Sequence, residues 1–216
     1  MILAGGLAAL IVGWLCGMGL NRLAAWLVAR RAGSLAGPTE FVVLATEPKR
    51  WRRPGLQLAC GLVMVGLWVR HGPTPALAPA VLAALLLLLI AAIDLDVRLV
   101  LNEVLLVCAG LALLHAAAGG WSRLALALVG GGLALGVFLL LALLQRGAMG
   151  AGDVKLAGLL GLMFGYPTAL QTLLLGVIVG GVVAAALLLT RRLGRKALIP
   201  YAPFLSAGGI LTLLLN

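Results

Sequence analysis

The run Gly150-Ala151-Gly152-Asp153-Val154-Lys155-Leu156 sets an ionisable turn between two long apolar stretches, each suited to lipid. A carboxylate so close to hydrocarbon is expensive and calls for a reason. Outward from that turn the same texture covers the whole chain: of 216 residues, 63% are hydrophobic and 10% charged, with a mean hydropathy of +1.19. Such a composition excludes a soluble domain. Apolar runs fall near 2–29, 55–72, 75–93, 103–120, 123–145, 152–166, 168–190 and 199–215. A crossing helix needs about 17 to 25 such residues, so the pattern predicts an all-α, polytopic membrane helix bundle of about eight transmembrane helices. The runs 55–72 and 152–166 are short, which sets the range at six to eight. The first run has no basic segment before it and no small-residue cleavage site, and reads as a retained span rather than a signal peptide.

The formal charge of +10 would suggest nucleic acid in a soluble protein, but topology accounts for it here and no nucleic acid partner is expected. Arg30, Arg31, Lys49, Arg50, Arg52, Arg53, Arg98, Arg146, Lys155, Arg191, Arg192, Arg195 and Lys196 all fall on one side of an eight-span zigzag, with only Arg70 and Arg123 opposite. By the positive-inside rule that side is cytoplasmic. Both termini then lie outside the cytoplasm, and Asp94, Asp96 and Asp153 at its face. The basic clusters at 49–53 and 191–196 serve as anchors to anionic membrane lipid.

Cys16, Cys60 and Cys108 sit singly within apolar runs, without Cys-x-x-Cys spacing, and read as small hydrophobes rather than a disulfide or zinc framework. No metal site is expected, since His71 and His115 fall on the expected non-cytoplasmic ends of their spans, far from the acidic clusters. Small residues recur four apart in Gly132/Gly136, Ala157/Gly161/Gly165 and Gly176/Gly180/Ala184, the spacing that lets helices pack closely in lipid.

Of six acidic residues, Glu40 and Glu47 belong to a polar loop. Asp94, Asp96, Glu103 and Asp153 lie near membrane depth. About 200° of helix separates Asp94 from Asp96, so only one can face inward, and Asp94, directly after Ala91-Ala92-Ile93, is that one. Asp153 opens a helix after a glycine-rich bend, where a carboxylate can simply cap the first turn. Paired with a second carboxylate it could do more: two neighbouring carboxyls share one proton and serve as base toward water and acid toward a leaving group. That is peptide-hydrolysis chemistry, and it needs no metal.

These residues resemble the type IV prepilin peptidases, the membrane aspartyl proteases with a Gly-x-Gly-Asp motif. Ile93-Asp94-Leu95-Asp96-Val97-Arg98-Leu99-Val100-Leu101-Asn102 is similar to the family's first motif, and Met149-Gly150-Ala151-Gly152-Asp153-Val154-Lys155-Leu156 to its second. Ile199-Pro200-Tyr201-Ala202-Pro203-Phe204-Leu205 looks like its Ile-Pro-Phe-Gly-Pro-Phe-Leu segment. The resemblance covers roughly residues 55–216. It implies catalytic Asp94 and Asp153, with Gly150, Gly152, Lys155, Asn102, Pro200 and Pro203 as motif or supporting residues. Lys155, about 200° from Asp153 on a helix, reads mainly as a side chain snorkelling to headgroups, with substrate positioning as the lesser alternative.

The resemblance also implies a bacterial inner-membrane enzyme that cleaves the cytoplasmic leader of type IV pilin-like or pseudopilin precursors. It suggests two regions: 1–54, a first helix and short basic loop, the shortened counterpart of a methyltransferase region, and 55–216, the peptidase domain. Leu101 stands where the family has proline, which softens the expected helix break. The paired Cys-x-x-Cys motifs of bifunctional members are missing, which puts N-methylation of the product in question. Proteolysis then calls for no cofactor, and S-adenosylmethionine only if methyl transfer is retained. A proton-coupled transporter and a non-catalytic pilus-assembly scaffold remain as alternatives, and the oligomeric state is left open.

Overall fold

The computed structural model describes residues 2–34, 52–144, 150–190 and 201–216. Among them are eight helices and no strand: α1 (Ile2–Ser34), α2 (Arg52–His71), α3 (Leu77–Val97), α4 (Asn102–Ala118), α5 (Trp121–Leu144), α6 (Ala151–Phe164), α7 (Thr168–Leu189) and α8 (Ala202–Leu215). Each coincides with one apolar run. Pro200, the short segment 41–44, the basic cluster 191–196 and most of the cluster 49–53 lie outside the described residues. Four stretches, Gly5–Arg31, Leu77–Val97, Trp121–Leu144 and Thr168–Leu187, are long and apolar enough to cross a bilayer, and Asn102–Ala118 and Ala202–Leu215 are shorter apolar helices. The chain is a helical membrane protein. α6, with 14 residues, reaches about 21 Å at 1.5 Å per residue, short of a hydrocarbon core of about 30 Å.

The chain divides into two compact units, Met1–Leu99 with Leu213–Asn216, and Val100–Thr212. In the first, α1 and α2 run antiparallel. A Cβ on Gly13 would lie 2.7 Å from the Cys60 carbonyl oxygen, and one on Gly17 2.7 Å from the Gln57 Cα. Ala9, Gly13, Gly17, Asn21, Ala24 and Val28 are the buried stripe of α1. This small-residue face, four apart over three turns, was not among those singled out in the sequence. α2 packs on α3 through Leu67, Ala80 and Ala84, joined by Val63, Leu77, Val81, Leu213 and Leu214.

In the second unit α6 is the innermost element, with Leu156, Ala157, Gly158, Leu159, Leu160 and Gly161 all buried. Its backbone meets α5 at Gly161 and Gly130: a Cβ on Gly130 would stand 2.7 Å from the Gly161 carbonyl oxygen, so neither position has room for a side chain. The expectation for Gly132 and Gly136 is corrected here, because a Cβ on either would meet nothing within 4 Å. The inward face of α5 is Ala127, Gly130, Gly131, Ala134 and Phe138, a period near 3.6 that leaves Gly132 and Gly136 on another side. The 157/161/165 and 176/180 stripes do pack, Gly176 against Leu205 and Gly180 against Phe204. Buried Thr172 and Thr212 join α7 to α8 through a 3.0 Å hydroxyl bond. α6 ends at Gly165, whose φ of 65° a side chain would strain.

Candidate active site

Asp94 is the fourth-last residue of α3, in the first unit, and is 4% exposed, whereas Asp96 is half-buried. The inward assignment from helical spacing therefore agrees with the burial. The helix stops just beyond. Arg98 turns into the left-handed region at φ 52° and ψ 39°, and its N–H donates to the Asp94 carbonyl oxygen at 2.8 Å. Leu101 takes φ −72° and ψ 120° as the residue before α4. That φ lies within the range of a proline ring, so the break occurs without the family's proline, and α4 begins at Asn102.

Asp153 is the third residue of α6, in the second unit, and half-buried. Gly150 precedes the helix in an extended conformation (φ −74°, ψ 144°), and its carbonyl oxygen accepts the Asp153 N–H at 3.0 Å. The Asp153 carboxylate reaches back to the Gly150 N–H and also accepts the N–H of Ala202, at the first position of α8. The first contact is one half of a capping box. The second satisfies another otherwise orphaned helix-start donor. Pro203 follows at a position where a missing N–H costs nothing. Two helix N-termini, each carrying partial positive charge, thus converge on this carboxylate. The cap reading of Asp153 is correct as far as it goes.

The flanking residues grip the chain ahead of α4. A Cβ on Gly152 would lie 2.9 Å from the Val100 Cβ. Lys155 Nζ donates to Asn102 Oδ1 at 2.9 Å, so its ammonium is engaged by a neighbouring helix, where the sequence suggested headgroups. Gly150, Gly152, Asp153, Lys155, Asn102 and Pro203 therefore gather around the start of α6. Glu103, beside Asn102, is exposed. Sequence reasoning missed the backbone N–H of Ala202, which no side-chain pattern signals. Among the described residues no three His, Cys, Asp or Glu side chains form a metal-binding group, and Cys16, Cys60 and Cys108 are free thiols.

The fold and these residues define a class: a polytopic helical membrane protein with one carboxylate buried near the end of an apolar helix and another held at a glycine-bounded helix start. Residues 81–185, which include Asp94 and Asp153, match the type IV leader peptidase family. Over 164 residues the chain is 30% identical to a prepilin leader peptidase/N-methyltransferase of Bacillus subtilis, covering 74% of this chain and 65% of that protein. Over 167 residues it is 30% identical to a protein of the same description from Burkholderia pseudomallei, covering 75% and 54%. It thus spans between about half and two thirds of these relatives. No solved structure matches. Residues 81–185 of the chain belong to the type IV leader peptidase family.

Proposed function

We propose that this protein is a prepilin leader peptidase, an aspartic endopeptidase that removes the leader from type IV pilin-like or pseudopilin precursors. The observation that carries the reading is the Gly150–Leu156 turn with its caged carboxylate, inside the family match that also holds Asp94. Asp94 and Asp153 are the proposed catalytic pair. One carboxylate takes a proton from water, which attacks the scissile carbonyl, and the other protonates the departing amine. The pair titrates as a unit. The supporting roles of Gly150, Gly152, Asn102, Lys155, Pro200 and Pro203 belong to the same proposal.

Residues 55–216 form the proposed peptidase domain, and 1–54 the shortened counterpart of the region devoted to methylation in bifunctional relatives. Proteolysis by two carboxylates calls for no cofactor. The relatives' names include an N-methyltransferase, and with it S-adenosylmethionine as methyl donor. The absence of paired Cys-x-x-Cys motifs from the sequence supports a protein that cleaves without efficient methylation. The family match supports a bacterial inner-membrane location, and the basic asymmetry a site at the cytoplasmic face.

To test the function, membranes containing the protein are incubated with a prepilin and S-adenosylmethionine, and the product is weighed. A leader-less, unmethylated chain is expected. An intact precursor overturns the peptidase reading, and a methylated N-terminus overturns the single-activity one. Orientation is read by placing single cysteines at Ser34 and Asn216 in a cysteine-free background. Position 216 should react with an impermeant thiol reagent from outside intact cells and position 34 should not; the reverse inverts the substrate side.

A further inference from the structure

The bond between Lys155 and Asn102 has no place in the hydrolysis itself, and nothing in the two-carboxylate scheme requires it. Lys155 stands about 200° around α6 from Asp153, so a side chain that meets Asn102 does not point where the Asp153 carboxylate points. On the other side of Asp153 in sequence, Gly152 lies flush against Val100, with no room even for a methyl group. The two contacts fall one and two residues from Asp153 and hold Val100 and Asn102, two residues apart at the entry to α4.

A single contact would leave the first turn of α6 free to rotate about its axis, and first turns fray because their amides lack helical partners. Gly152 and Lys155, three residues apart, lie about 60° from each other on one face of α6, and their two contacts together hold that face against the entry to α4. We propose that Lys155 is a positioning residue, which through its hydrogen bond to Asn102 fixes the orientation of the Asp153 turn for catalysis. The assignment rests on the reading of Asp153 as a catalytic carboxylate. Lys155 suits the role because an ammonium donates a charge-assisted bond, and Asn102 Oδ1 is a fixed acceptor at the first residue of its helix. The alternative, an anchor to lipid headgroups, would use the charge of Lys155 and be indifferent to residue 102.

Reacting groups displaced by about an ångström can cost up to about a hundredfold in rate, and loosening one turn should cost part of that. Lys155→Met and Asn102→Leu are each expected to lower kcat for prepilin cleavage by roughly tenfold, with KM unchanged. The double variant should be no slower than either single one, because the two substitutions remove the same bond. Asn102→Asp keeps an acceptor oxygen and should recover most of the rate, while Glu103→Gln, next to the pair but outside it, should behave as wild type. Independently of activity, cysteines at 102 and 155 in a cysteine-free background should be joined by a short bifunctional thiol reagent. Absence of the cross-link overturns the pairing. Wild-type kcat in Lys155→Met, additive losses in the double variant, or a change confined to KM overturns the positioning role while leaving the peptidase reading intact. A wild-type protein that leaves prepilin whole sinks both, and the cross-link then reports a purely structural tie.

Discussion

α3 ends on a carboxylate and α6 begins with one, and the same chemical group meets opposite physics in the two places. At the start of α6, Asp153 receives the N–H groups of Gly150 and Ala202 and faces the positive ends of two helices, an arrangement worth about 0.3–1 kcal/mol for each helix terminus. Asp94 sits in the last turn of α3, where carbonyl groups dominate and a carboxylate is disfavoured by a similar amount, and it is buried at the end of a helix whose one other charged residue is Asp96. The fold gains those contacts from Asp153 whatever the protein does, against the cost of partly burying the carboxylate. Position alone gives it no such benefit from Asp94, so Asp94 is the stronger pointer to chemistry, although the motif around Asp153 is the more conspicuous one in the sequence.

The largest expected effect is common to both ends. Asp94→Asn and Asp153→Asn should each lower prepilin cleavage by at least about a hundredfold, the lower range for removing a group that transfers a proton. Stability should then separate them. Asp153→Ala removes a helix cap and should cost about 1 kcal/mol in detergent unfolding. Asp94→Asn, which keeps the shape of the side chain at a helix end that offers a carboxylate no cap, should cost less. An active Asp94→Asn protein, or one destabilised as much as Asp153→Ala, would break the contrast.

A second test stays at the start of α6, where the two glycines of the motif have different surroundings. A Cβ at Gly150 would find only Asp153 Oδ2, at an ordinary 3.4 Å, whereas a Cβ at Gly152 would press on Val100 at 2.9 Å. Gly152→Ala should therefore destabilise the protein by about 1–3 kcal/mol, the usual range for overpacking, and Gly150→Ala by much less. Equal melting points for the two variants would mean that the turn yields to the methyl group and does not hold Val100 closely.

How much of this was legible beforehand follows from which interactions leave a trace in residue type. Lipid imposes long apolar runs, so the eight helices could be placed from hydropathy alone. Asp94 could be ranked above Asp96 because both lie on one helix, where angles follow from spacing. The packing faces were read less well. Gly132 and Gly136 have the right spacing on the wrong side of α5, while Gly130 and Gly131 make the contact. In a helix that is apolar all round, spacing shows that a close approach is possible but not which face receives it. The packing of the stripe Ala9, Gly13, Gly17 on α1 is not legible in the sequence for the same reason. The Ala202 N–H on Asp153 and the Lys155 bond to Asn102 are tertiary contacts across about 50 residues, and nothing local encodes them.

The smallest effect concerns the other end of the comparison, where α3 stops. Arg98 is the one non-glycine residue with positive φ among the described residues, and a Cβ in that region costs roughly 1–2 kcal/mol. Glycine would remove the strain but would widen the unfolded ensemble, returning about 0.4–1 kcal/mol. The net gain for Arg98→Gly should be about 0.5–1 kcal/mol. Because that change also deletes a positive charge near Asp94 and Asp96, Arg98→Ala is the needed partner: it deletes the same charge and keeps the Cβ. The difference in unfolding free energy between the two variants isolates the backbone, and glycine should be the more stable. If alanine equals or exceeds glycine, the left-handed turn is not what ends α3. Leu101, with its proline-like φ of −72°, then becomes the residue that separates the Asp94 helix from α4.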